Sequence, residues 1–259
     1  ETLVDLFKID METGKATVQA DAALAGAEFT WHYYDGFYTK DNLPEKAIRT
    51  WVTKTVAEKS SDGSIHYVTK MSDAYKVSGD AFYIQNEKSV LPLGTLTVEE
   101  TKAPDGYLLD GAYMQAGDST EQIKGMYLTQ ITEDGELAVL SGSNQYSVSD
   151  QVIRGGVKIQ KRDMETKDTK AQGSATLKDA AFAIISLNEN PVLVEGKLYK
   201  KNETVKTIQT GIDGDVWDIH GPHYDDVRFE QKDKRILVDA ITHEKKEHVC
   251  VAEQYRTQA

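Results

Sequence analysis

Apolar side chains recur at every second position through most of this 259-residue chain. Ala47 to Val56, His66 to Thr69, Ala81 to Gln85, Thr95 to Glu99 and Tyr146 to Val152 alternate in period two and favour β-branched and aromatic residues. That is the pattern of half-buried strands. Asp62-Gly63, Asp105-Gly106 and Asp134-Gly135 separate such runs with residues suited to tight turns. Helical periodicity is weak, and only Ala20 to Ala25 has the composition for a helical turn or two. Regularly spaced strands with polar turns predict an all-β chain folded as β-sandwich.

The pattern also repeats. Lys8-Ile9-Asp10-Met11-Glu12-Thr13 returns as Lys161-Arg162-Asp163-Met164-Glu165-Thr166, and the same offset carries Leu24 to Leu177, Ala27 to Ala180 and Phe29 to Phe182. Two related domains are expected, each opening with a strand, a polar turn and a second strand. Arg154-Gly155-Gly156 interrupts strand-like sequence on both sides and sets the expected domains at 1–154 and 155–259. The second is the shorter and more divergent of the two.

Several strand faces carry a charge among apolar residues. Asp150 shares a face with Tyr146, Val148 and Val152; Glu100 shares one with Leu96 and Val98, leaving Glu99 on the other side. Lys161 follows Val157 and Ile159 on an apolar face, and Lys8 follows Val4 and Leu6, although Phe7 and Ile9 make its opposite face apolar too. A charge buried alone is costly, so such residues must be paired, neutralised or consumed. The alternative for any one of them is a strand end that reaches solvent, or an ordinary buried ion pair.

Composition narrows the field. At 39% hydrophobic and 28% charged, with 19 Gly and 5 Pro, the chain is that of a folded protein. A net charge of −12 argues against a nucleic-acid-binding surface. No run approaches the roughly 18 apolar residues of a membrane helix, so no membrane insertion is expected. The single cysteine, Cys250, excludes an internal disulfide framework and a multi-cysteine zinc site. Opening at Glu1, with neither initiator Met nor signal peptide, the chain reads as a mature region or an excised piece, its sorting signals outside it.

Glu100-Thr101-Lys102-Ala103-Pro104-Asp105-Gly106-Tyr107 reads E-T-x-A-P-x-G-Y. It resembles the E-box of the Cna B-type domains of Gram-positive pilins and collagen-adhesin stalks. Lys8-x-Asp10, Thr13-Gly14-Lys15 and Leu24-x-Gly26-Ala27-Glu28-Phe29 resemble the first two strands of those domains, and Val148-Ser149-Asp150 their last. The resemblance covers the first domain from end to end. It implies two tandem immunoglobulin-like (Cna B-type) β-sandwich domains and an intramolecular isopeptide bond from Lys8 to Asp150, with Glu100 assisting. The chemistry agrees with the faces: burial disfavours an ammonium and frees the amine as nucleophile, and two carboxyls in a dry site share a proton. The reaction runs once per molecule, so no enzyme that turns over is expected.

The second domain lacks this E-box. Lys161, Asp163, Leu177, Ala180 and Phe182 match the opening strands, while Val227-Arg228-Phe229-Glu230 is the nearest stretch to an E-box and Asp239, between Leu237 and Ile241, is the candidate partner for Lys161. His220, His223, Asp225 and Asp226, and separately Asp213, Asp215 and Asp218, contain metal-capable groups but read as polar loop, so neither metal nor cofactor is expected. Trp31, Tyr33, Tyr34, Phe37 and Tyr38 form an aromatic cluster that serves either core packing or an exposed binding patch. No phosphate loop, nucleophile elbow or HExxH motif occurs. The expectation is the stalk of a cell-wall-associated extracellular adhesin or pilin, its partners other domains or subunits of a surface protein or pilus. The alternative is a module that binds host extracellular matrix or glycan.

Overall fold

In the first strand, β1 (Asp5–Asp10), Leu6, Lys8 and Asp10 turn inward while Asp5, Phe7 and Ile9 stay half-buried. Strict alternation of this kind forms a sheet with one face on a core. The computed structural model describes residues 5–116, 122–133, 146–154, 157–211, 215–218, 227–231, 234–236 and 249–252. The chain divides into two compact units, residues 1–18 with 22–152 (unit 1) and residues 19–21 with 153–259 (unit 2).

Unit 1 continues with β2 (Glu28–Tyr34), β3 (Arg49–Lys54), β4 (Val56–Lys59), β5 (Ile65–Lys70), β6 (Lys76–Gly79), β7 (Tyr83–Gln85), β8 (Lys88–Val90), β9 (Gly94–Lys102), β10 (Tyr107–Ala116), β11 (Gln122–Lys124), β12 (Tyr127–Ile131) and β13 (Tyr146–Val152). One large sheet has the order β11-β10-β13-β1-β5-β4 and the other β12-β9-β2-β3-β6, with a separate β7-β8 hairpin. Leu6 and Val148 of the first meet Phe29, Trp31, Tyr33, Trp51, Leu96, Val98 and Ile131 of the second in one buried cluster, which makes unit 1 a sandwich. The opening and closing strands are parallel neighbours, with Lys8 opposite Val148 and Asp10 opposite Asp150.

Ala47 to Val56 is not one strand. Thr55 accepts from Ala27 N and donates to Leu24 O through its hydroxyl, and its own backbone bonds Ala27 and Gly26. These bonds end β3 in one sheet and start β4 in the other. Ala20 to Ala25 forms no helix: Ala20-Asp21 and Ala25-Gly26 make separate turns, and Ala23 N bonds Asp105 O instead of a helical neighbour. The one helical piece among the described residues is a 3₁₀ turn at Lys40–Asn42. Trp31, Tyr33 and Tyr34 of the aromatic cluster are buried, Tyr38 is half-buried and Phe37 is exposed.

Unit 2 holds β14 (Val157–Lys161), β15 (Ala181–Ser186), β16 (Val192–Val194), β17 (Lys197–Tyr199), β18 (Thr204–Gln209), β19 (Asp215–Asp218), β20 (Val227–Gln231), β21 (Lys234–Ile236) and β22 (Val249–Ala252). Its sheets run β19-β14-β22 and β18-β15-β20-β21, with a β16-β17 hairpin. Ile159, Phe182, Ile184, Val192, Val194, Val205 and Ile208 centre its core. The polar turn after the first strand is the same in both units. Thr13 N donates to Asp10 Oδ1 and Thr166 N to Asp163 Oδ1, while Gly14 N bonds Asp10 O and Lys167 N bonds Asp163 O. Gly14 and Lys167 both take left-handed backbone, at φ 64° and 58°.

Candidate functional site

β1 and β13 lie side by side in one sheet, and β9 lies in the facing sheet. Period-two alternation points Lys8, Asp150 and Glu100 from these three strands into the space between. Lys8 Nζ stands 2.7 Å from Glu100 Oε2 and 2.5 Å from Asp150 Oδ1. The side chains of Lys8, Asp150 and Glu100 are 0%, 0% and 1% exposed. Leu6, Phe29, Val98 and Val148, all buried, share this core.

Bulk solvent therefore reaches neither the two carboxyls nor the amine. Burial pushes the Glu100 carboxyl up to about 8; the Lys8 ammonium pulls it back, and the neighbouring Asp150 carboxyl raises it further. Glu100 Oε1 and both Asp150 oxygens are buried without an aligned hydrogen-bond donor. At 2.5 Å the Lys8–Asp150 contact is close but not aligned as a hydrogen bond. Charge left on unsatisfied buried oxygens is costly, so a neutral distribution of protons is favoured. One lysine nitrogen within 3 Å of two buried carboxyls brings together the groups that condensation to an amide would need: a nucleophile, a carboxyl carbon and a second carboxyl to move protons.

Asp10, quoted in the sequence only as part of Lys-x-Asp, is also fully buried. It faces inward with Lys8, two residues along the same strand, and alternation alone could have found it. Tyr107, the last residue of the E-box, donates its hydroxyl to Asp10 Oδ2 at 2.8 Å. The turn before it puts Gly106 at φ 84°, where an added Cβ would meet Ala22 Cα at 2.9 Å, so glycine is required there.

In unit 2 Lys161 is 8% exposed and ends β14, which pairs in parallel with β22 as β1 does with β13. Asp239, the expected partner of Lys161, lies outside the described residues, as do Asp213, His220, His223, Asp225 and Asp226. Phe29 stands opposite Glu100, whereas its repeat equivalent Phe182 stands opposite Gln231, with Glu230 opposite Ala183. In backbone register Gln231 thus takes the position that Glu100 holds in unit 1. Cys250 lies on β22 opposite Ile159. Among the described residues no group of three or more His, Cys, Asp or Glu converges on a metal position, and no helix is long and apolar enough to cross a membrane.

No protein-family model matches the chain. A nigerose phosphorylase of Lachnoclostridium phytofermentans is 34% identical over 83 residues, which are 32% of this chain and 11% of that enzyme. Among solved structures the chain is similar to the Bacillus anthracis TIE protein, at 16% identity and a TM-score of 0.46, covering 96% of this chain and 32% of that one. It is also similar to GBS52, the minor pilin of the Gram-positive pathogen Streptococcus agalactiae (10% identity, TM-score 0.28, 100% of this chain and 98% of that one). BcpA, the major pilin subunit of Bacillus cereus, is similar at 13% identity and a TM-score of 0.28, over 97% of this chain and 99% of that one. The chain thus spans about a tenth of the enzyme and a third of the TIE protein.

Proposed function

We propose that this chain is a load-bearing stalk segment of a Gram-positive surface adhesin or pilin, stapled by an isopeptide bond between Lys8 and Asp150. The observation that carries the reading is a lysine amine within 3 Å of two carboxyls, all three buried between the sheets of unit 1. The neutral Lys8 amine attacks the Asp150 carboxyl carbon, the C–N bond forms and the C–O bond breaks. Glu100 gives a proton to the departing hydroxyl and takes one from the nitrogen, so one water leaves. The apolar surroundings then shield the amide from hydrolysis.

A stalk benefits from this placement. β1 and β13 are parallel neighbours, so tension on the two ends of unit 1 shears them past each other. A covalent link between the strands takes that load and leaves nearly all of the domain between them unstressed. With one cysteine the chain cannot be stapled internally by a disulfide, and an amide holds in any redox environment. Such a segment belongs on the outside of the cell wall, in line with other domains or pilus subunits.

Intact mass of the denatured protein tests the reading. A deficit of one water from the mass computed from sequence is expected, abolished by Lys8→Ala and by Asp150→Ala. A deficit of two waters would add a second bond, with Lys161 and Asp239 the pair to map in unit 2. No deficit would sink the cross-link.

A further inference from the structure

The proposed chemistry uses the Glu100 and Asp150 carboxyls, and a third buried carboxyl lies on Lys8's own strand face. The third belongs to Asp10, 0% exposed, on the same face of β1 as Lys8 and two residues away, with its backbone opposite Asp150 itself. An ionised neighbour there would offer the Lys8 ammonium another partner and hold the proton that the amine must lose. Asp10 is held elsewhere. Its Oδ1 accepts from Thr13 N at 2.8 Å, and its Oδ2 accepts from the Tyr107 hydroxyl at 2.8 Å.

Tyr107 reaches Asp10 across a strand. It starts β10, which lies on one side of β13, while β1 lies on the other. Its backbone stands opposite Val152, two residues beyond Asp150. The ring packs with Leu24 and Val152, against Val18, Ala22, Tyr67 and Ala103. The turn below it is tied down as well, with Tyr107 N bonded to Pro104 O and Ala23 N to Asp105 O. The hydroxyl is thus delivered from a fixed ring to one oxygen of Asp10 on β1, over β13, the strand that carries Asp150.

We infer that Tyr107 is a positioning residue for the cross-link: it withholds Asp10 from Lys8, so that the amine meets only Glu100 and Asp150. This rests on the isopeptide reading above. Removing the hydroxyl takes one donor away from Asp10 and lets its carboxylate compete for the Lys8 ammonium. Removing the charge of Asp10 makes the hydroxyl dispensable, because an asparagine cannot hold the lysine's proton.

The test follows the loss of water by intact mass after a short pulse of cell-free synthesis, with aliquots quenched in denaturant. Wild type, Tyr107→Phe, Asp10→Asn and the double variant are compared. Tyr107→Phe is expected to cross-link about tenfold more slowly, the worth of one hydrogen bond to a charged group. Asp10→Asn is expected to stay near the wild-type rate. The double variant should recover most of what Tyr107→Phe loses. A residue that merely supported the fold would give the opposite ordering, with the double variant at least as slow as Tyr107→Phe, and that result overturns the role. An unchanged rate in Tyr107→Phe overturns it too. A wild-type chain that loses no water instead removes the cross-link reading itself, and the positioning role with it.

Discussion

Glu100 takes up a proton when the chain folds. Its carboxyl would ordinarily titrate near 4.5, and burial between the sheets holds it up at about 8. The folded state therefore binds more protons than the unfolded state between those values, and stability must fall as pH rises across that window. The contribution is fully present below about 4.5 and is lost as pH climbs through about 8. Lys8→Met exposes the effect, because it cannot form the proposed cross-link and it removes the ammonium that opposes the shift. Its urea midpoint should drop between about pH 5 and pH 8, and Glu100→Gln added to it should flatten most of that slope. A midpoint that rises instead would show Glu100 ionised in the folded chain. The three side chains of this site were legible in the sequence because each breaks the apolar rhythm of its own strand. Asp10 breaks the same rhythm, but Lys-x-Asp reads first as the start of a turn. Only the hydroxyl of a residue 97 positions away reveals what else it does.

Thr53 ties three strands together. It sits on β3 fully buried, accepts the indole N–H of Trp31 from β2 at 2.8 Å, and accepts the hydroxyl of Thr69 from β5 at 2.7 Å. The first two strands lie in one sheet and the third in the other, so the bond to Thr69 crosses the sandwich. Thr53→Val keeps the volume and deletes the acceptor, leaving a buried indole N–H unsatisfied. It should cost about 1–3 kcal/mol in chemical denaturation, with the m-value unchanged. Thr69→Val should cost less, because Trp31 keeps its partner. Strands such as Tyr146 to Val152 could be read from alternation. The break at Thr55 could not, since a β-branched residue between strand-like runs gives no local sign that its hydroxyl will close onto Leu24 and Ala27.

Across the whole molecule, the bond from Lys8 to Asp150 would close most of unit 1 into one covalent loop. Restricting the unfolded chain by a loop of this size is worth about 5 kcal/mol on the chain-entropy argument developed for disulfides, or on the order of 10–20 °C in the unit 1 transition. Calorimetry should show Asp150→Ala losing that much from one transition while the transition of unit 2 stays in place. A shift of both together would mean that the units unfold as one. The repeated turn at Asp10 and Asp163 shows the two units opening alike. The register shows them diverging where it matters, with Gln231 opposite Phe182 where Glu100 stands opposite Phe29.

By itself the sequence determined what local chemistry can determine. Alternation made the chain all-β, the offset repeat announced two related halves, and charges out of step with their faces marked Lys8, Glu100 and Asp150. Alternation and misplaced charges are properties of residues one, two or three positions apart, which the strand geometry converts directly into a shared face. Only the tertiary structure decided which of those faces meet. The parallel pairing of β1 with β13, the strand that changes sheets at Thr55, and the Tyr107 hydroxyl on Asp10 join residues tens to more than a hundred positions apart. Such contacts follow from burying both sheets in one core, and no stretch of sequence contains that condition.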